Sequence, residues 1–330
     1  MARSEKLISL VKAGALGDKI QFKRVVESLI ADERQKNHHL IAGRLERELL
    51  KLSTSNSVLN SPSKNESKLS NYVNEISPRL RFTDLIIPDS VYEPLQELVE
   101  EQNRVDLLRS YSLEPRNRVL LIGPPGNGKT SLAEAVAESM MVPLLVVRYE
   151  EIIGSYLGET ASRLRKVIEY ASTRRCVLLF DEFETLGKER GDTNETGEIK
   201  RVVSSLLIQI DSLPSHVIVI AATNHSELLD KAVWRRFQLR LEVPQPTLSQ
   251  IQKWFKAFES KNNIELDYAH ETLAKRLYGS NFSEIEEFGR VVLRKYVLSQ
   301  PNSNIRGIIS KTLKTWSERT SSSITQRNNA

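Results

Sequence analysis

The spacing of apolar residues changes from one segment of this chain to the next, and each change marks a boundary. From residue 4 to 52 it is helical: Leu7, Ile8, Leu10 and Val11, a break at Gly14 to Asp18, then Phe22, Val25, Val26, Leu29 and Ile30. A third series, Leu40, Ile41, Leu45, Leu49, Leu50 and Leu52, shares its helix with Arg44, Glu46, Arg47, Glu48 and Lys51, a charged face with room for i,i+4 pairs. These patterns predict a small N-terminal helical module over residues 1–52. It reads equally as a docking or substrate-recruiting module and as a helical extension packed on the main domain. Over residues 53–78 the pattern lapses. Ser53-Thr54-Ser55-Asn56-Ser57 and Ser61-Pro62-Ser63 are polar and turn-prone, and the apolar residues are too few to offset the entropy of ordering. A flexible linker is expected there.

From residue 79 short apolar runs alternate with helical stretches. The runs at 119–122, 144–147, 177–180, 217–221 and 239–243 have the length of fully buried strands, and helical patterns separate most of them. That alternation predicts an α/β core with a buried parallel sheet over residues 79–246. Residues 82–88 lead in, and 91–108 read as a helix. Beyond Pro244-Gln245-Pro246 no strand pattern remains. Helical spacing at 251–258, 268–277, 283–298 and 305–316 predicts an all-helical domain over 247–316, followed by a polar tail, 317–330, expected to fray.

One junction carries chemistry. The run at 119–122 leads into Gly123-Pro124-Pro125-Gly126-Asn127-Gly128-Lys129-Thr130, which opens onto a helical Ser131-Leu132-Ala133-Glu134-Ala135. This is G-x-x-x-x-G-K-[ST] in the strand–loop–helix setting that a P-loop requires. Glycines let the backbone wrap an anion closely, and the amides and helix N-terminus face it. Lys129 would reach the β- and γ-phosphates of ATP or GTP, and Thr130 would ligate Mg²⁺. One βα unit later, Val177-Leu178-Leu179-Phe180 ends in Asp181-Glu182, at the strand end where open α/β sheets bind ligands. Asp181 would hold Mg²⁺, and Glu182 would polarise the attacking water. A further strand ends in Thr223-Asn224, with Asn224 aimed toward the γ-phosphate. Arg235 and Arg236, before the last strand, are a solvated basic pair if taken alone. Phosphoryl transfer needs guanidinium charge, which a neighbouring subunit can supply.

In this order the motifs resemble the AAA family of the AAA+ ATPases, and 229–237 is similar to the branch containing katanin, spastin and Vps4-type proteins. The resemblance covers about residues 80–316; residues 1–78 match no such pattern. It implies a bacterial single-AAA-domain protein, an α/β P-loop NTPase core with a helical lid, Asn224 as sensor 1, and Arg235 and Arg236 as fingers reaching the next subunit's nucleotide. It departs at Asn127, where the family usually has Thr and little effect on catalysis is expected. It departs again in that no arginine sits clearly in the sensor 2 position; Gly279-Ser280-Asn281-Phe282-Ser283 occupies the matching place, as a Gly/small-residue sequence does in AAA proteins, and its nucleotide contact would come from backbone and packing. Tyr156-Leu157-Gly158 looks like the aromatic–hydrophobic–Gly pore loop of AAA translocases, and 188–198 matches the place of a second loop.

Composition narrows the setting. At 330 residues the chain holds about two ordinary domains. No apolar run approaches the ~20 residues of a membrane span, and the charged N-terminus lacks a signal peptide's apolar core, so the cytoplasm is the expected location. The lone Cys176 sits in an apolar strand pattern and reads as a buried structural thiol. A net charge of +5 over this length permits contact with nucleic acid or acidic proteins without arguing for either. The expected function is a ring-forming, hexameric ATPase that remodels or threads protein substrates, using ATP and Mg²⁺. A nucleic-acid motor or loader, and a regulatory switch that rarely hydrolyses, are the alternatives. No built-in protease motif is present: His38-His39 lacks H-E-x-x-H. Degradation would need a separate partner, for which a subtilisin-like protease is the resemblance's suggestion.

Overall fold

The computed structural model describes residues 71–153, 157–186, 195–301 and 304–327. In chain order the strands and α-helices are β1 (Val73–Ile76), α1 (Asp89–Asn103), α2 (Val105–Ser110), β2 (Arg118–Ile122), α3 (Lys129–Ser139), β3 (Leu144–Val147), α4 (Tyr149–Ile152), α5 (Leu157–Ser172), β4 (Cys176–Phe180), α6 (Glu195–Asp211), β5 (Val217–Thr223), α7 (Lys231–Arg236), β6 (Leu239–Glu242), α8 (Leu248–Asn262), α9 (His270–Arg276), α10 (Phe282–Leu298) and α11 (Ile305–Arg327).

The strands form a six-stranded sheet in the order β1-β3-β4-β5-β2-β6. All neighbours are parallel except β1, which runs antiparallel to β3 with Val73 opposite Val147. Because side chains alternate along a strand, each central strand feeds two apolar layers. Leu120, Leu178, Phe180 and Val219 pack with Leu164 and Val167 of α5 and with Leu206 and Ile210 of α6. Val119, Leu121, Leu179 and Ile220 pack on the other side with Leu95 and Leu98 of α1 and with Leu132 and Val136 of α3. Strands covered on both faces must be apolar throughout, which is why they read as unbroken runs rather than alternations. Helices α8 to α11 close a separate core around Ile251, Phe255, Leu273, Ile285, Phe288 and Ile309. The architecture is thus a P-loop NTPase-type α/β sheet followed by a helical region.

The structure differs from the pattern in four places. The linker expected to reach residue 78 contains β1: Val73 is buried against the sheet edge, and the Arg148 amide donates to the Tyr72 carbonyl at 2.9 Å. A four-residue strand made by pairing with β3 leaves almost no local periodicity to read. The helix expected over 91–108 is two helices, broken at Arg104, whose φ of −116° and ψ of 36° are not helical. Gly158 and Leu157, read as loop residues, stand in the first turn of α5. The tail expected to fray from residue 317 continues α11 to Arg327. Once the preceding turns are anchored through Ile309, extension requires no new nucleation. The N-terminal helical module lies outside the described residues, as do Tyr156 and most of the second loop.

Candidate functional site

The loop between β2 and α3 has the backbone that its glycines require. Gly123 takes a φ of +150°, and a Cβ there would stand 2.2 Å from the Val243 carbonyl oxygen, so no other residue fits between the loop and the end of β6. Pro124, Pro125, Gly126, Asn127 and Gly128 complete the turn, and Gly128 is the N-cap of α3. The loop therefore presents the N-terminus of an 11-residue helix, with its unpaired amides, at the carboxyl end of the sheet.

Lys129 is the first residue of α3 and is 6% exposed. Its Nζ donates to the carbonyls of Gly123 (2.7 Å) and Pro124 (3.0 Å) and to Asn224 Oδ1 (2.7 Å). Burial pushes the Lys129 ammonium below its ordinary pKa, while the nearby carboxylates of Asp181, Glu184 and Glu182 oppose that shift. The next residue, Thr130, donates its hydroxyl to Asp181 Oδ2 at 2.6 Å. Asp181 Oδ1 in turn accepts from the Glu182 amide at 3.0 Å. Glu182 is exposed and sits at a φ of +49°, the left-handed region that costs an ordinary residue about 1–2 kcal/mol. A strand that ends by turning this sharply sets two adjacent carboxylates on different bearings: Asp181 toward the loop, Glu182 into solvent.

The sheet order places these groups together. β5 lies between β4 and β2, so Asn224, which follows β5, stands between the Asp181-Glu182 turn and the P-loop. Two residues here were not singled out from sequence. Glu184 is 3% exposed and accepts from the Asn224 amide at 3.3 Å, while its Oε2 has no partner among the described residues. Tyr149 buries its hydroxyl without a partner among the described residues, and burial raises its pKa well above the usual phenol value. The only signal for Glu184 was a third acidic residue in Asp181-Glu182-Phe183-Glu184; nothing in the sequence around Tyr149 marked it.

Arg235 and Arg236 end α7 at the opposite end of the sheet. Arg236 pairs with Asp211, the last residue of α6, and Asp211 also pairs with Arg118, the first residue of β2. Arg235 is exposed and has no ion pair among the described residues. Leu157 opens α5, and Tyr156 lies outside the described residues. No helix among the described residues is long and apolar enough to cross a membrane.

Fold and site together define a P-loop NTPase. Residues 119–245 match the family described as "ATPase family associated with various cellular activities (AAA)". An uncharacterised AAA family ATPase, y4kL, of Sinorhizobium fredii is 33% identical over 304 residues, 91% of each chain. The chain belongs to the AAA family of ATPases. It is a nucleotide-binding ATP hydrolase. The similarity extends to the cell division cycle protein 48 homolog of Archaeoglobus fulgidus, 30% identical over 230 residues, 67% of this chain and 31% of that one. It extends also to the 26S proteasome regulatory subunit 8 homolog of Encephalitozoon cuniculi, 30% identical over 250 residues, 69% of this chain and 64% of that one. This chain spans about a third of the former relative and just under two thirds of the latter.

Proposed function

We propose that this ATPase works as a ring, hexameric by family resemblance, that remodels or threads protein substrates. The observation that carries the ring is the position of Arg236. Asp211 ties it beside Arg118, which begins β2, whereas the P-loop follows Ile122, which ends β2. Five residues of strand, roughly 16 Å, separate those ends. An arginine held at one end does not reach a phosphate bound at the other, so Arg235 and Arg236 have their use at the nucleotide of another copy.

Within one chain the roles follow from chemistry. Lys129 and the α3 N-terminus take the phosphates. Thr130 and Asp181 offer a hydroxyl and a carboxylate 2.6 Å apart, a hard-oxygen donor set suited to Mg²⁺, which would neutralise phosphate charge when bound. Glu182 accepts the proton of the attacking water, and Asn224 orients that water beside the γ-phosphate. Assembly then adds arginine charge to the transferring phosphoryl group. Among the relatives are proteins named as a proteasome regulatory subunit and as ATP-dependent zinc metalloproteases, which supports protein as the substrate class. Tyr156 and Leu157 are the residues we assign to gripping it.

The test combines assembly and mixing. Glu182→Gln with ATP should sediment as a closed oligomer. Titrating Arg235→Ala chains into wild type should depress ATPase activity more steeply than dilution alone. A monomer under both conditions, with activity proportional to wild-type content, would overturn the ring. Tyr156→Ala should spare ATP turnover and stop unfolding of a tagged protein substrate; surviving unfolding would remove Tyr156 from the mechanism.

A further inference from the structure

Asn127, where the P-loop departs from the AAA pattern, touches the segment that begins helix α10. Helix α10 begins at Asn281-Phe282-Ser283, and the first amides of any helix lack partners within it. Its own cap covers only part of that need: Asn281 Oδ1 accepts from the Glu284 amide at 2.8 Å, and Glu284 Oε2 accepts from the Asn281 amide at 3.0 Å. The two amides between them are satisfied by the P-loop. The Ser283 amide donates to the Gly126 carbonyl at 3.0 Å, with the Ser283 hydroxyl on the same oxygen at 3.3 Å. The Phe282 amide donates to Asn127 Oδ1 at 3.4 Å. Gly126, at a φ of +78°, leaves the space that the Asn281 side chain fills; a Cβ there would lie 2.7 Å from it.

Asn127 is 3% exposed, and its Nδ2 has no partner among the described residues. The side chain's hydrogen bond, through Oδ1, goes to α10. We propose that Asn127 is a positioning residue: together with the Gly126 carbonyl it completes the cap of α10, so that movement of the P-loop around a phosphate carries the lid helix with it. Coupling between the P-loop and the lid then runs through the Phe282 and Ser283 amides. This mechanism holds within a single chain and stands whether or not the ring forms.

The experiment uses the full chain, with ADP and ATP as the probes. Asn127→Ala should speed ADP release and raise the KM for ATP by about tenfold each, the loss of one buried hydrogen bond. Asn127→Thr, whose hydroxyl can accept from the Phe282 amide, should restore both. A variant that only melts earlier, with wild-type KM and ADP release, would overturn the proposal. Hydrogen exchange on the unaltered chain gives a test that needs no variant. ADP should slow exchange at Phe282 and Ser283 by about tenfold while leaving Val292, in the middle of the same helix, unchanged. Equal protection with and without ADP at Phe282 and Ser283 would also overturn it.

Discussion

Lys129 and Asn224 hold each other: Nζ donates to Oδ1 at 2.7 Å, joining the residue that opens α3 to the residue that follows β5. For a phosphate to take the ammonium, one of its three hydrogen bonds must be exchanged, and exchange of this one releases the Asn224 side-chain carboxamide as the γ-phosphate arrives. Asn224→Ala should therefore lower kcat about 10²-fold, the scale of losing one aimed polar group at a site of developing charge. Nucleotide affinity should shift by less than about threefold, because the ground state loses a contact on both sides of the binding equilibrium. Steady-state phosphate release together with an equilibrium ATP titration separates the two effects. A wild-type kcat would remove Asn224 from the reaction.

Glu182 is the exposed carboxylate of the pair at the end of β4, and its neighbour Asp181 is engaged by Thr130. Glu182→Gln keeps the shape and removes the basic oxygen. Turnover should fall by about 10²–10⁴-fold with ATP still bound. Asp181→Ala should weaken Mg²⁺-ATP binding itself, since it removes half of the hard-oxygen donor pair. The pattern that would refute this division is loss of binding in Glu182→Gln with retained binding in Asp181→Ala.

The sheet was legible in the sequence because its central strands are buried on both faces and so leave continuous apolar runs such as Val177-Leu178-Leu179-Phe180. The P-loop was legible because its geometry needs glycine at fixed places, as the clash at Gly123 illustrates. β1 was not, since Val73 and Ile76 become strand residues only by pairing with β3. Glu184 and Asp211 were missed for a related reason. A carboxylate at the end of a strand or helix looks like solvated charge until the fold brings the Asn224 amide, or Arg118 and Arg236, against it. The contact between Asn127 and Phe282 spans 155 residues and leaves no local trace at all.

Asp211 is shared unequally. Its side chain and that of Arg118 are 23% and 22% exposed, whereas Arg236 is 45% exposed and more strongly screened by water. Arg118 also buries its Nε without a partner among the described residues. Removing Asp211 strands a half-buried guanidinium; removing Arg236 leaves the better-shielded pair intact. Asp211→Ala should cost about 1–3 kcal/mol in urea unfolding, and Arg236→Ala no more than about 1. Equal losses would mean that the two pairs contribute alike, and that exposure does not rank them.

Cys176 begins β4 with 1% exposure, its Sγ 3.7 Å from the Ala171 carbonyl. Burial drives its thiol pKa up to about 12, against about 8.5 for a free cysteine. The native chain should resist a thiol reagent at mildly alkaline pH and react only as fast as it opens, because the thiolate is the nucleophile. The sign of the stability effect comes from the same shift. Between the unfolded and folded pKa values the unfolded chain has lost the proton and the native chain keeps it, so this group's contribution is constant below the lower value and turns destabilising as pH rises through the window. The slope approaches about 1.4 kcal/mol per pH unit. Urea midpoints of wild type and Cys176→Ala, compared from neutral to alkaline pH, should converge or cross as the wild type loses this increment. Parallel curves, or rapid labelling of the folded protein, would show that the thiol is not held protonated by the core.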